Sequence, residues 1–60
     1  MTPKEKERQL FCEGCSIEAE ISREDRSMVR LISTARGEQY KLLYRRNEHN
    51  ALVISEVTKL

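Results

Sequence analysis

The apolar pattern of the chain is broken at regular intervals, and those breaks leave few folds open to it. Segments beginning near Ser16, Ser27, Gln39 and Ala51 are spaced about 11 or 12 residues apart. The breaks between them are Arg23-Glu24-Asp25-Arg26, Ala35-Arg36-Gly37-Glu38, and Arg46 to Asn50. Gly37 can supply the positive φ that a tight turn demands. In the first segment, Ile17, Ala19 and Ile21 alternate with Glu18, Glu20 and Ser22. This is the pattern of a half-buried strand with an acidic, solvated face. In the third, Tyr40, Leu42 and Tyr44 alternate with Lys41 and Arg45, and Leu43 interrupts the polar face. The last, from Ala51 to Val57, holds Leu52, Val53 and Ile54 in succession. Turn signals at this spacing predict an antiparallel meander. No residues recur in register, so the spacing is not a sequence repeat.

The residues before the first segment read differently. Thr2 is a suitable N-cap, Pro3 suits the first helical position, and Glu5 stands where a capping box places its acid. Good helix formers run through Gln9 and Leu10, and Gly14 is the expected stop. Leu10 and Phe11 are the only large apolar residues here, so a short helix docks through them. The predicted class is α+β: a short N-terminal helix followed by an antiparallel sheet of about four strands. The expected core residues are Ile17, Ile21, Leu31, Leu42, Val53 and Val57.

Residues 23–36 support a competing reading. Met28, Leu31, Ile32 and Ala35 also fit one face of a helix, with Ser22 and Asp25 as a variant capping box and Gly37 as a C-cap. The alternative fold has this second helix and a C-terminal β-hairpin. Val29, Ile32 and Thr34 favour a pleated surface, which tips the expectation toward a strand.

Size sets the next constraint. Sixty residues make a single small domain, residues 1–60, which buries only roughly 60% of the surface its unfolded chain exposes. There is no Trp and one Phe, so Ile, Leu, Val and Met must build the core. One short helix can cover little of a four-stranded sheet, which points to a homo-oligomer or a protein partner. A net charge of +1 lacks the strong basic footprint of a general nucleic-acid binder, although a local basic patch remains open. No apolar run approaches the roughly 20 residues that span a bilayer. Met1 to Gln9 is charged and has no apolar signal region, so the expected setting is cytoplasmic, with reduced thiols and no membrane.

The most specific chemical signal is Cys12-Glu13-Gly14-Cys15. Thiolates at this spacing can chelate one metal ion, and the segment resembles one knuckle of a zinc ribbon over residues 11 to 17. The resemblance implies a second knuckle, which the chain lacks. A structural zinc site needs four ligands. His49 is a candidate third ligand and Glu48 a fourth; alternatively two chains each contribute Cys12 and Cys15 to a shared site. The plain reading is that the two thiols cap a helix and pack beside Phe11. A redox role is disfavoured, because the pair follows the predicted helix, whose negative end raises a thiol pKa.

The candidate binding surface is Tyr40, Lys41, Tyr44, Arg45 and Arg46. The two rings fall on one strand face, where they could stack on bases or fill a partner's pocket; flanking Leu42, they also suit a small core. Lys41 and Arg45 fall on the other face. His49 in a polar turn has no identifiable nucleophile, and the acids are interleaved with bases as solubilising faces. The functional expectation is a small non-enzymatic binding or regulatory module that docks through a sheet face or edge. The alternative is a zinc-stabilised nucleic-acid-binding domain, and the third reading a thiol redox protein.

Overall fold

Thr2 opens the first element as its sequence predicts. In the computed structural model, which describes residues 1–60, its backbone is extended and its Oγ1 accepts a hydrogen bond from the Glu5 amide at 3.2 Å. The Glu5 carboxylate accepts a hydrogen bond from the Thr2 hydroxyl at 3.1 Å, a variation on the reciprocal cap. Helix α1 runs Pro3–Glu13 and ends at Gly14, whose φ of +97° lies outside the range other residues adopt readily. Four strands follow: β1 (Cys15–Ser22), β2 (Met28–Thr34), β3 (Gln39–Arg46) and β4 (Leu52–Lys59). They form one antiparallel sheet in the order β1-β2-β3-β4.

The three hairpins close in the same way. In each, the first loop-flanking amide bonds a carbonyl four residues on, and its carbonyl accepts from the amide three residues on. The pairs are Arg23 with Ser27 and Arg26, Thr34 with Glu38 and Gly37, and Asn47 with Ala51 and Asn50. This is a three-residue loop whose last residue sits in the left-handed region. Arg26 (φ 70°), Gly37 (φ 83°) and Asn50 (φ 62°) occupy that position in turn.

Residues 28–34 are a strand, which removes the helical alternative. Asp25 is committed to the turn: its Oδ1 accepts from the Ser27 amide (3.0 Å) and hydroxyl (2.5 Å) instead of capping a helix. Val29 and Ile32 then pair on both sides, as a central strand requires.

Register assigns every strand residue to a face, because directly opposed residues point the same way. One face carries Met28, Arg30 and Ile32 of β2, Tyr40, Leu42 and Tyr44 of β3, and Leu52, Ile54, Val57 and Lys59 of β4. Leu10 inserts here, and with Ile32, Tyr40, Leu42 and Tyr44 it forms the core; Cys15, Met28, Ile54 and Val57 pack around it. The helix runs beside β4 more closely than beside any other strand. No helix is long and apolar enough to cross a membrane.

Two β-bulges change which side chains share a face. On β1 the register shifts between Ile17 and Ala19; on β4 it shifts opposite Leu43 and Tyr44, where Ser55 is the extra residue. Each bulge moves the residues beyond it to the other side of the sheet. Ile17 therefore lies on the helix side and Ile21 on the opposite side. Val57 lies on the helix side and Val53 opposite.

The expected core needs correction accordingly. Leu42 is fully buried and Leu31 and Val57 are half-buried, but Ile17, Ile21 and Val53 are 48%, 50% and 42% exposed. Ile17 is exposed because it sits on the edge strand farthest from the helix. Ile21 and Val53 are exposed because nothing covers their face. Leu10 docks the helix as expected, whereas Phe11 remains partly exposed.

Candidate functional site

The face away from the helix is the least finished part of the fold. Its apolar residues are Ala19 and Ile21 of β1, Val29 and Leu31 of β2, Leu43 of β3 and Val53 of β4. Register places Ile21 beside Val29, Val29 beside Leu43, and Ala19 beside Leu31. The apolar row Ile21, Val29 and Leu43 thus spans β1 to β3; on β4, Glu56 stands beside Leu43 and Val53 stands beside Arg45. Val29 and Leu43 are only 5% and 6% exposed although no element packs above them, so their own neighbours on the face shield them. Ile21 and Val53 form the exposed shoulders of this face.

Charged residues frame these shoulders. Lys41 and Arg45 come from β3, Glu56 from β4, and Glu18 from the β1 bulge. Glu18 is fixed on this face by the Ser33 hydroxyl, which donates to its Oε1 at 2.6 Å. These two bases and two acids on the strands balance, and Arg23 and Asp25 of the β1–β2 turn, close to Arg45, add one charge of each sign.

The candidate residues drawn from the sequence separate between the two faces. Tyr40 and Tyr44 are core residues, each 7% exposed under the helix, so their rings offer no stacking surface. Lys6 lies over the Tyr40 ring at 5.3 Å from its centre, and Arg30 over the Tyr44 ring at 5.1 Å. The core reading of the two tyrosines is the correct one, and the binding surface expected of them is withdrawn. Lys41 and Arg45 lie on the uncovered face. Arg46 lies at the end of β3, where its Nη1 donates to the Asn50 carbonyl at 2.8 Å.

A polar network ties the helix to the sheet on the covered side. The Tyr44 hydroxyl donates to the Glu7 carboxylate and accepts from Arg30 Nη1 at 3.3 Å. Arg30 Nη2 reaches Glu20 Oε2 at 3.5 Å. Burial first, and then the hydrogen bond to Glu7, push the Tyr44 hydroxyl pKa well above the usual phenol value. The groups in this network hold one another, and Arg30 Nε is buried without a partner.

Cys12 and Cys15 have different surroundings. Cys12 is exposed in the last turn of α1; Cys15 is half-buried at the start of β1 and packs against the core. His49 is exposed in the β3–β4 turn, its Nε2 3.6 Å from Glu48 Oε1. Cys15 pairs with Thr34 at one end of the sheet, whereas the turn holding His49 lies at the other end. A single chain therefore does not bring His49 to the cysteines. No group of three or more His, Cys, Asp or Glu side chains converges as metal ligands. One shallow cleft, lined by Met1, Thr2, Pro3, Lys6 and Val57, separates the helix start from β4.

Sequence reasoning missed the open face as a unit, because the two bulges interrupt the alternation that would display it. Leu43, an apolar residue on an otherwise polar strand face, was its visible trace. The fold defines the chain as a one-helix, four-stranded antiparallel meander with one covered and one uncovered face. No protein-family model, no curated protein and no solved structure matches it.

Proposed function

We propose that this chain is a small non-enzymatic binding or regulatory module that docks a protein surface onto the uncovered face of its sheet. The observation that carries this reading is the pair of exposed apolar residues Ile21 and Val53, on either side of the shielded Val29 and Leu43, on a sheet face that the helix does not cover. Large apolar side chains left exposed beside charged residues on an uncovered face favour an interaction site. The face is favoured over the edges. Both edge strands carry a bulge, which kinks the backbone and spoils the straight run of free N–H and C=O groups that strand addition requires.

The nucleic-acid alternative draws less support, since its stacking rings are in the core. Lys41 and Arg45 remain, but Glu18 and Glu56 share their face and would repel phosphate.

The test places a photo-crosslinking side chain at Val53 in one variant and at Arg8, on the helix, in another. The expected result in cells is one protein adduct of fixed mass from position 53 and none from position 8. Adducts from position 8 alone, or adducts to nucleic acid from position 53, overturn the reading.

A further inference from the structure

We infer that the occupant of the uncovered face is a second copy of this chain, packed sheet to sheet. The inference rests on the docking reading above and names its partner. Three properties of the face carry it.

The first is charge. A face built for a different partner is free to carry one sign of charge. This one carries Lys41 and Arg45 against Glu18 and Glu56, two of each, around an apolar centre. Two identical copies turned face to face thus meet without net repulsion. A two-fold interface must be complementary to itself in this way.

The second is area. Strands about 4.8 Å apart and residues about 3.3 Å apart along them make the face roughly 15 by 25 Å. Apposing two such faces removes on the order of 1,000 Å² of accessible surface, near the lower bound for a specific interface. Each copy contributes a share close to a tenth of its 4366 Å² surface. At this area the dimer is expected to be reversible rather than obligate.

The third is shape. Ile21 and Val53, on opposite edge strands, stand exposed on either side of the shielded Val29 and Leu43. Two sheets of this kind seat the shoulders of one copy against the centre of the other. A sandwich of two sheets is the ordinary way to bury such faces. Cys15 points away from this interface into the helix-side core, so the dimer requires neither thiols nor metal.

The experiment measures the mass of the purified protein by sedimentation equilibrium from micromolar to millimolar concentration. The expected result is a monomer–dimer equilibrium. It weakens by about tenfold or more in Val53→Asp and is unchanged in Ile17→Asp, on the other face, or in the Cys12→Ser/Cys15→Ser double variant. Because Val53→Asp could perturb folding, exposed charges give a second arm. Lys41→Glu/Arg45→Glu makes the four strand positions of the frame wholly acidic, and Glu18→Lys/Glu56→Lys makes them wholly basic. Each variant alone is expected to be monomeric, and an equimolar mixture to form the heterodimer. A monomer at millimolar concentration, a mixture that stays monomeric, or a dimer abolished by the cysteine changes each overturns the inference. If the purified protein is monomeric while position 53 still crosslinks to a different protein in cells, the docking reading stands and only its second-copy occupant falls. If position 53 captures nothing as well, both fall.

Discussion

Arg26 and Asn50, the only non-glycine residues with left-handed backbone, are hydrogen-bonded to each other: Arg26 Nη2 donates to Asn50 Oδ1 at 2.6 Å. The bond joins the β1–β2 and β3–β4 turns at one end of the sheet. Asn tolerates this backbone region, whereas a long side chain such as Arg pays about 1–2 kcal/mol there. The exposed hydrogen bond returns less than about 1 kcal/mol. Arg26→Gly is therefore expected to raise stability by up to about 1 kcal/mol, read from the urea midpoint. Gly37→Ala, at the equivalent position of the middle hairpin, is expected to lower it by about 1 kcal/mol. A Cβ there meets nothing within 4 Å, so that loss is backbone strain alone. A less stable Arg26→Gly would show that the turn-to-turn bond outweighs the strain.

Leu10 and Phe11 are adjacent and apolar, yet only Leu10 is buried. Truncating a buried leucine removes its transfer energy and leaves a cavity, together about 2–5 kcal/mol. A domain this small has only a few kcal/mol to lose. Leu10→Ala is thus expected to release the helix, with lost helical circular dichroism and a collapsed thermal transition. Phe11→Ala should cost less than about 1 kcal/mol. Equal effects at the two positions would contradict the docking geometry of α1.

Tyr44 joins helix and sheet through Glu7, and its raised pKa fixes the direction of its pH effect. The folded state holds the phenol proton more tightly than the unfolded chain does. That stabilisation is fully present below the unfolded value of about 10 and is lost as pH rises beyond it. Tyr44→Phe is expected to cost about 1 kcal/mol near neutrality. It should also lose less stability than the native chain above pH 10. Parallel urea curves at neutral and alkaline pH measure both effects, and an unchanged alkaline slope in Tyr44→Phe would remove the linkage.

How far the fold was legible in the sequence can be judged from particular residues. Thr2, Pro3 and Gly14 bound the helix because capping chemistry is local. The three turns were legible because charged and Gly-containing breaks mark them at even spacing. Ile17 and Ile21 misled because two residues of the same strand four apart normally share a face, and a bulge between them depends on pairing that the sequence does not display. Val53 and Val57 misled through the same device on β4. Tyr40 and Tyr44 alternate as either core or surface residues would; the helix, positioned by Leu10, decides between the two. Lys41 and Arg45 were correctly separated from the tyrosines, but Glu18 and Glu56 belong to their face only once the register is known.

Asp25 and Glu38 are both held below the usual carboxylate range, for different reasons. The Ser27 hydroxyl, and then the Ser27 amide, stabilise the Asp25 carboxylate. A hydrogen bond and charge from Lys59, whose Nζ lies 2.8 Å from Glu38 Oε2, stabilise Glu38. Lowered folded values mean that both contributions are present above the unfolded pKa, near 3.8 and 4.5 respectively, and are lost as pH falls through the folded values. Salt screens the exposed ion pair more than the local hydrogen bonds. An NMR titration in high salt is expected to bring Glu38 back toward its ordinary value and to leave Asp25 low. Ser27→Ala should release Asp25 alone. Equal salt sensitivity would mean that charge, not hydrogen bonding, holds Asp25.

The cysteine pair offers the last discrimination. Both thiols are free; Cys12 is exposed on the helix and Cys15 packs against the core. A thiol that must leave packed surroundings reacts only through local opening, so Cys12 is expected to be alkylated much faster than Cys15 in the folded protein. Denaturant should equalise the two rates. A shared zinc site would behave differently: it would protect both thiols together, supply about one zinc per two chains, and make the thermal transition sensitive to a chelator. With the thiols in unlike surroundings and His49 at the far end of the sheet, the expectation is unequal alkylation and a melting temperature unchanged by chelation. Paired protection with half-stoichiometric zinc would instead place the dimer contact at the helix end of the fold and take it away from the open face.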